Sequence, residues 1–133
     1  MLLLGTLNPQ GESNAHAGVL LKERDIDSLV SSNALLNKPV LIEHQGPNVG
    51  FVVSAWKHEG RIDAILKINN DNIDSLFAQN FIESRRCPEL SLGYTCHLTH
   101  SADGLHADYK EVNEVSLVVK GARHDCHIRA WKR

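Results

Sequence analysis

Short runs in which apolar residues recur at every second position constrain this chain more than any other feature it has. In RIDAILKI, residues 61–68, the side chains of Ile62, Ala64, Leu66 and Ile68 share one side, the two-residue period of a half-buried strand. The same alternation sets Leu90, Leu92, Tyr94, Cys96 and Leu98 along one face of another strand, with Ser91, Gly93, Thr95 and His97 on the opposite face. Further strands are expected at Met1–Leu7, at Gly18–Lys22, in KPVLIEH with Val40, Ile42 and His44 on one face, and in VGFVVSAW. Three more fall at about His106–Tyr109, Val112–Val119 and Cys126–Trp131. Asn8–Gly18 is rich in turn formers and reads as a loop. Helical spacing marks Asp25–Leu36, with Asp25 as N-cap and Ile26, Leu29 and Val30 apolar. It also marks NNDNIDSLFAQNFI, capped near Asn70 or Asp71, with Ile73, Leu76, Phe77 and Phe81 turned to the core. Six or more short strands with two helices predict an α+β, mainly β fold: a closed or nearly closed antiparallel barrel with peripheral helices.

The 133 residues suit a single domain, 1–133, with a modest core, and 42% hydrophobic against 23% charged residues is the balance of a globular protein. A formal charge of -2 gives no basic stripe for nucleic acid, although Lys120, Arg123, Arg129, Lys132 and Arg133 gather near the end. No apolar run approaches the roughly 20 residues that a bilayer requires, so neither nucleic acid nor membrane is expected as a partner. The opening MLLLGTL is short for a signal-peptide core and lacks a basic start and a small-residue cleavage site. Three cysteines at irregular spacing argue against a disulfide framework and for a reducing, intracellular setting.

Three residues interrupt their apolar surroundings: His44 at the end of a strand face, Ser91 within ELSLGY, and Glu114 within VNEVSLVV. Buried without a partner, that carboxylate would cost several kcal/mol. It either points outward on an edge strand or orients an imidazole that becomes a cation. Serine nucleophiles need a histidine in reach and a group that fixes the histidine's tautomer, and these three residue types supply that set. Gly93 either lets a substrate backbone come close or marks a bulge. Tyr94 and Trp56 read as core or cleft-wall residues. A rival lies in metal chemistry: Cys96, His97, His100, His106, His124, Cys126 and His127 include closely spaced pairs of zinc-ligand types. None forms a C-x-x-C, and adjacent strand residues such as Cys96 and His97 point to opposite faces.

The segments NKPVLIEHQGPNVGFVVSAW, RIDAILKINNDNIDSL, PELSLGY and NEVSLVVKGARHDCHI resemble, in order and spacing, the prohead proteases of tailed phages. They are also similar to the herpesvirus capsid-maturation proteases, the assemblins. The resemblance covers about Lys38 to Ile128 and implies an assemblin-like fold and a serine endopeptidase that needs no cofactor and no metal. By the same resemblance Ser91 is the nucleophile, His44 the general base, and Glu114 the third member, where the herpesvirus enzymes have a second histidine. Glu111 and Asp108 are nearby substitutes for Glu114. KGAR resembles the oxyanion-binding segment of the family, with the Ala122 backbone N–H and Arg123 as donors; alanine stands at 122 where the herpesvirus enzymes have arginine. Implied partners are scaffold and capsid polypeptides as substrates and a second copy of the chain. The implied location is the viral procapsid within an infected cell. A capsid- or scaffold-associated module that keeps the fold without turnover is the alternative, with a zinc-binding module behind it.

Overall fold

The computed structural model describes residues 1–8, 13–14, 20–21, 23–84, 89–102, 104–120 and 126–133. In chain order the elements are β1 (Leu2–Asn8), β2 (Ser13–Asn14), β3 (Leu20–Leu21), α1 (Glu23–Ser31), β4 (Pro39–Ile42), β5 (Gly50–His58), β6 (Arg61–Ile68), α2 (Ile73–Glu83), β7 (Glu89–Ser101), β8 (Gly104–Val118) and β9 (Ile128–Lys132). Among the described residues the protein is mainly β with two helices. Strands β2 and β3 pair with each other, and the other seven form one sheet in the order β7-β8-β4-β5-β6-β1-β9.

That sheet curls into a half-barrel and does not close, which corrects the expected barrel. Among the described residues its edge strands meet only at an isolated bridge, Glu89 to His127, beside which the Leu90 N–H donates to the Cys126 carbonyl at 2.9 Å. After His127 the chain runs along β1, pairing Leu4 with Ala130 and Leu2 with Lys132, and among the described residues no ladder continues from the bridge to join β9 with β7. The sheet is also mixed. β4 runs parallel to β8, with Val40 beside Val115 and Ile42 beside Leu117. Alternation reports which residues share a face, but is blind to the direction of the neighbouring strand.

One side of the sheet builds the core. Leu66 of β6, Val40 of β4, Leu90 and Leu92 of β7, and Val115 and Leu117 of β8 are buried together with Leu3, Val52 and Ile62. Each such Leu or Ile contributes about 1.5–3 kcal/mol on removal from water. Helix α1 adds Ile26 and Leu29. It begins at Glu23 and stops at Ser31, short of the expected Leu36. Asn33 adopts a left-handed conformation (φ 56°), and the Ala34 and Asn33 N–H groups donate back to the Leu29 and Val30 carbonyls. These two bonds are the Schellman arrangement that ends helices.

Helix α2 departs from expectation in its buried face. Asn72 caps it, accepting the Ser75 N–H at 2.8 Å, in place of Asn70 or Asp71. Ser75, Ala78, Gln79 and Ile82 face inward, while Ile73, Leu76 and Phe77 are exposed and Phe77 stacks on Phe81. Small residues let the helix approach closely, and the Gln79 amide donates to the Asn69 carbonyl at 2.8 Å, which satisfies its own burial.

Residues His106–Tyr109 and Val112–Val119, expected as two strands, belong to the single strand β8, which ends at Val118. Two bulges break its period: one lies between them, where Thr95 pairs with Glu111 but His97 pairs with Asp108, and the other lies further along, inside the second expected strand. Gly93 pairs with Glu114 but Tyr94 pairs with Val112, leaving Asn113 unmatched. The extra residue returns Val112 to the core while Glu114 points to the other face.

Candidate active site

Leu90 and Leu92 are buried in the core, so the side chain between them, Ser91, emerges on the opposite face of β7. Across the ladder Ser91 stands opposite Ser116, and Gly93 opposite Glu114. The two β8 residues are two apart and share the face of Ser91. β8 is an interior strand, flanked by β7 and β4, so Glu114 is not an outward edge residue. It is only 7% exposed, Ser91 5%, and Ser116 is fully buried.

The histidine arrives from β4. Val40 is buried and Ile42 packs on the core, but His44 does not continue their face, contrary to the alternating pattern. The strand ends at Ile42, and both Glu43 (φ 51°) and His44 (φ 62°) take left-handed backbone conformations. For residues other than glycine this costs about 1–2 kcal/mol each, and such strain persists only where neighbours hold it. Here the Glu43 N–H donates to the Leu117 carbonyl at 3.0 Å, and the Gln45 and Gly46 N–H groups donate to Ile42 at 3.2 and 3.3 Å. The His44 N–H donates to Ser116 Oγ at 2.9 Å, and Glu43 Oε1 accepts the Val119 N–H at 2.8 Å. The turn is thereby fastened to β8, and its reversal lays the imidazole over the site.

His44 Nε2 lies 3.0 Å from Ser91 Oγ, and His44 Nδ1 lies 2.5 Å from Glu114 Oε1. The second carboxylate oxygen, Oε2, accepts the Ser116 hydroxyl at 2.6 Å. An ionised carboxylate can only accept, so it fixes Nδ1 as the protonated nitrogen and leaves Nε2 to accept from Ser91. The imidazole is part-exposed and the groups beneath it are buried, so one hydroxyl and one orienting acid sit under a base that reaches the surface. Such an arrangement can raise the nucleophilicity of the hydroxyl and stabilise the imidazolium formed when its proton is taken.

Gly93 has a third reason to be glycine besides the two expected from sequence. A bulge does follow it, but a Cβ at this position would also overlap the Glu114 carboxylate. The missing side chain is the space in which the acid lies.

The site brings together Ser91, His44 and Glu114. Ala122 and Arg123 lie outside the described residues, as does His124. Glu111 pairs with Thr95 and is exposed, away from the imidazole that Glu114 contacts; the side chain of Asp108 lies outside the described residues, with those of Cys96, His97, His100 and His106. Of the remaining candidate zinc ligands, Cys126 is buried with its thiol directed at the Leu7 carbonyl, 3.4 Å away. Among the described residues no group of three His, Cys, Asp or Glu could hold a metal, and no helix is long and apolar enough to cross a membrane. Sequence reasoning passed over Ser116 and Glu43. Ser116 carried a readable signal: a small hydroxyl in an apolar run, two residues after Glu114 and therefore on its face. No protein-family model matches the chain, and a search of curated proteins returns no match.

Proposed function

We propose that this chain is a serine endopeptidase of the capsid-maturation kind, with Ser91 as nucleophile, His44 as general base and Glu114 as the acid that orients it. The observation that carries the reading is the imidazole held by both nitrogens, 3.0 Å from a serine hydroxyl and 2.5 Å from a buried carboxylate. Ser91 Oγ attacks the scissile carbonyl carbon as its proton passes to His44 Nε2. The tetrahedral intermediate collapses as the same proton moves to the leaving amine, and the acyl group stays on Ser91. Water then attacks the ester, giving up a proton to Nε2, and the acid product leaves as Ser91 regains its hydrogen. The Ala122 backbone N–H, assisted by Arg123 directly or through water, is the oxyanion donor implied by the resemblance of KGAR to the family segment.

The resemblance to prohead proteases and assemblins supports an assemblin-like fold, the substrate class and the setting. The substrates are scaffold and capsid polypeptides, including the chain's own precursor, cut inside a viral procapsid. Substrate lies extended beside β7, and two copies of the chain associate. No cofactor takes part. Labelling with a fluorophosphonate tests the reading: modification of Ser91, abolished in Ser91→Ala and in His44→Ala, is the expected result. A folded protein that is not labelled and does not process a longer precursor would favour the non-enzymatic capsid module. Specific activity that is constant over a wide dilution series would count against association as a requirement.

A further inference from the structure

We infer that Ser116 is a positioning residue that ties the acid and the base of the site into one unit; the inference rests on the protease reading above. Its hydroxyl is fully buried and makes two bonds, one to each partner. It accepts the His44 backbone N–H at 2.9 Å and donates its hydrogen to Glu114 Oε2 at 2.6 Å. A serine hydroxyl has one hydrogen to give, so with that hydrogen committed to Glu114 it does not compete for His44 Nε2 or Ser91.

The consequence is geometric. A glutamate with three side-chain torsions would swing in its pocket if only one oxygen were held. With Oε2 fixed by Ser116, Oε1 is left facing Nδ1 at 2.5 Å. The same hydroxyl fixes the main chain of His44, so acid and imidazole cannot drift apart independently. Ser116 also stands directly across the ladder from Ser91, which sets base, acid and nucleophile from a single rung of the β7–β8 pair. Its action passes through Glu114 and His44, and it does not touch the substrate.

The experiment compares the intact protein with Ser116→Ala, Glu114→Ala and the double variant. Turnover of a scaffold-derived peptide and the far-downfield proton resonance of the Nδ1–H···Glu114 hydrogen bond are both recorded. Ser116→Ala is expected to lower kcat about 10- to 100-fold with KM changed less than about 2-fold, and to broaden or shift that resonance. In the Glu114→Ala background, removing Ser116 is expected to cost at most about 2-fold more, because the carboxylate it holds is gone. Full turnover with an unchanged resonance in Ser116→Ala would overturn the assignment, as would losses that multiply in the double variant. The resonance is read without substrate. If the unaltered protein shows no turnover the protease reading fails, and loss or retention of the resonance in Ser116→Ala still decides the role of Ser116.

Discussion

Glu114 and Gly93 are a matched pair across one rung of the sheet. Leaving the carboxylate buried and unpartnered would cost several kcal/mol; His44 and Ser116 take both of its oxygens, and Gly93 gives it room. Gly93→Ala therefore strikes the acid rather than the backbone. The added methyl displaces the carboxylate from Nδ1, and kcat is expected to fall about 10- to 100-fold while KM stays within about 2-fold. Overpacking is expected to cost about 1–3 kcal/mol in unfolding free energy as well. Steady-state kinetics and urea unfolding of the purified variant check both. A variant with undiminished kcat would show that the displaced carboxylate does not matter to turnover. Elsewhere, the Arg133 guanidinium hydrogen-bonded to Glu83 holds that carboxyl below its ordinary range. A lowered value means that the stabilisation is present above the ordinary carboxylate range and fades as pH falls through the lowered one. Because the pair is exposed, the effect on stability is small and is best read at the residue. The Glu83 side-chain signal is expected to titrate below the usual range by NMR, and to return to it in Arg133→Gln.

Among the elements, β8 shows how one extra residue changes which side chains share a face. Asn113 is the unmatched residue of the bulge, and a strand shifted by one residue turns every following side chain to the other face. Without the bulge Val112 and Glu114, two positions apart, would share one face; deleting Asn113 makes them neighbours, which face opposite sides of a regular strand, so both keep their places. The deletion is therefore expected to cost no more than about 1 kcal/mol, with the slope of urea unfolding unchanged; a loss of several kcal/mol would show that the fold requires the bend of the bulge itself. The same strand marks the limit of reading from sequence. Alternation located β6 and the Leu90–Ser91–Leu92 register because those stretches are regular, and it picked out Ser91 and Glu114 as intruders. It separated β8 into two strands because a bulge and a turn break a period alike. His44 was visible as a residue type at a strand end, but the left-handed pair at Glu43 and His44 has no pattern in the sequence, so its face was misread. In α2 two stripes compete, one large and apolar, one small with Gln79. Period alone favours the first, whereas close packing and the Asn69 carbonyl select the second.

At the scale of the whole molecule the open sheet matters most, because it leaves the strand that bears Ser91 at an edge. β7 pairs on one side with β8, and among the described residues its other side is met only at Glu89 and Leu90. The Leu90 N–H points away from β8, toward Cys126. Backbone groups of alternate strand residues point the same way, so the N–H and C=O of Leu92 also face outward, next to Ser91. An extended substrate laid along this edge would pair with Leu92 and take its register from the strand itself, the mode known as strand addition. That geometry forecasts an alternating response. N-methylation of successive substrate peptide bonds should lower kcat/KM at every second position near the cut and spare the positions between. Each lost hydrogen bond is worth about 1 kcal/mol, so the expected drop is roughly 5- to 10-fold per affected site. A scan with losses at all positions alike, or at none, would remove the β7 edge as the substrate's partner while leaving the geometry of Ser91, His44 and Glu114 untouched.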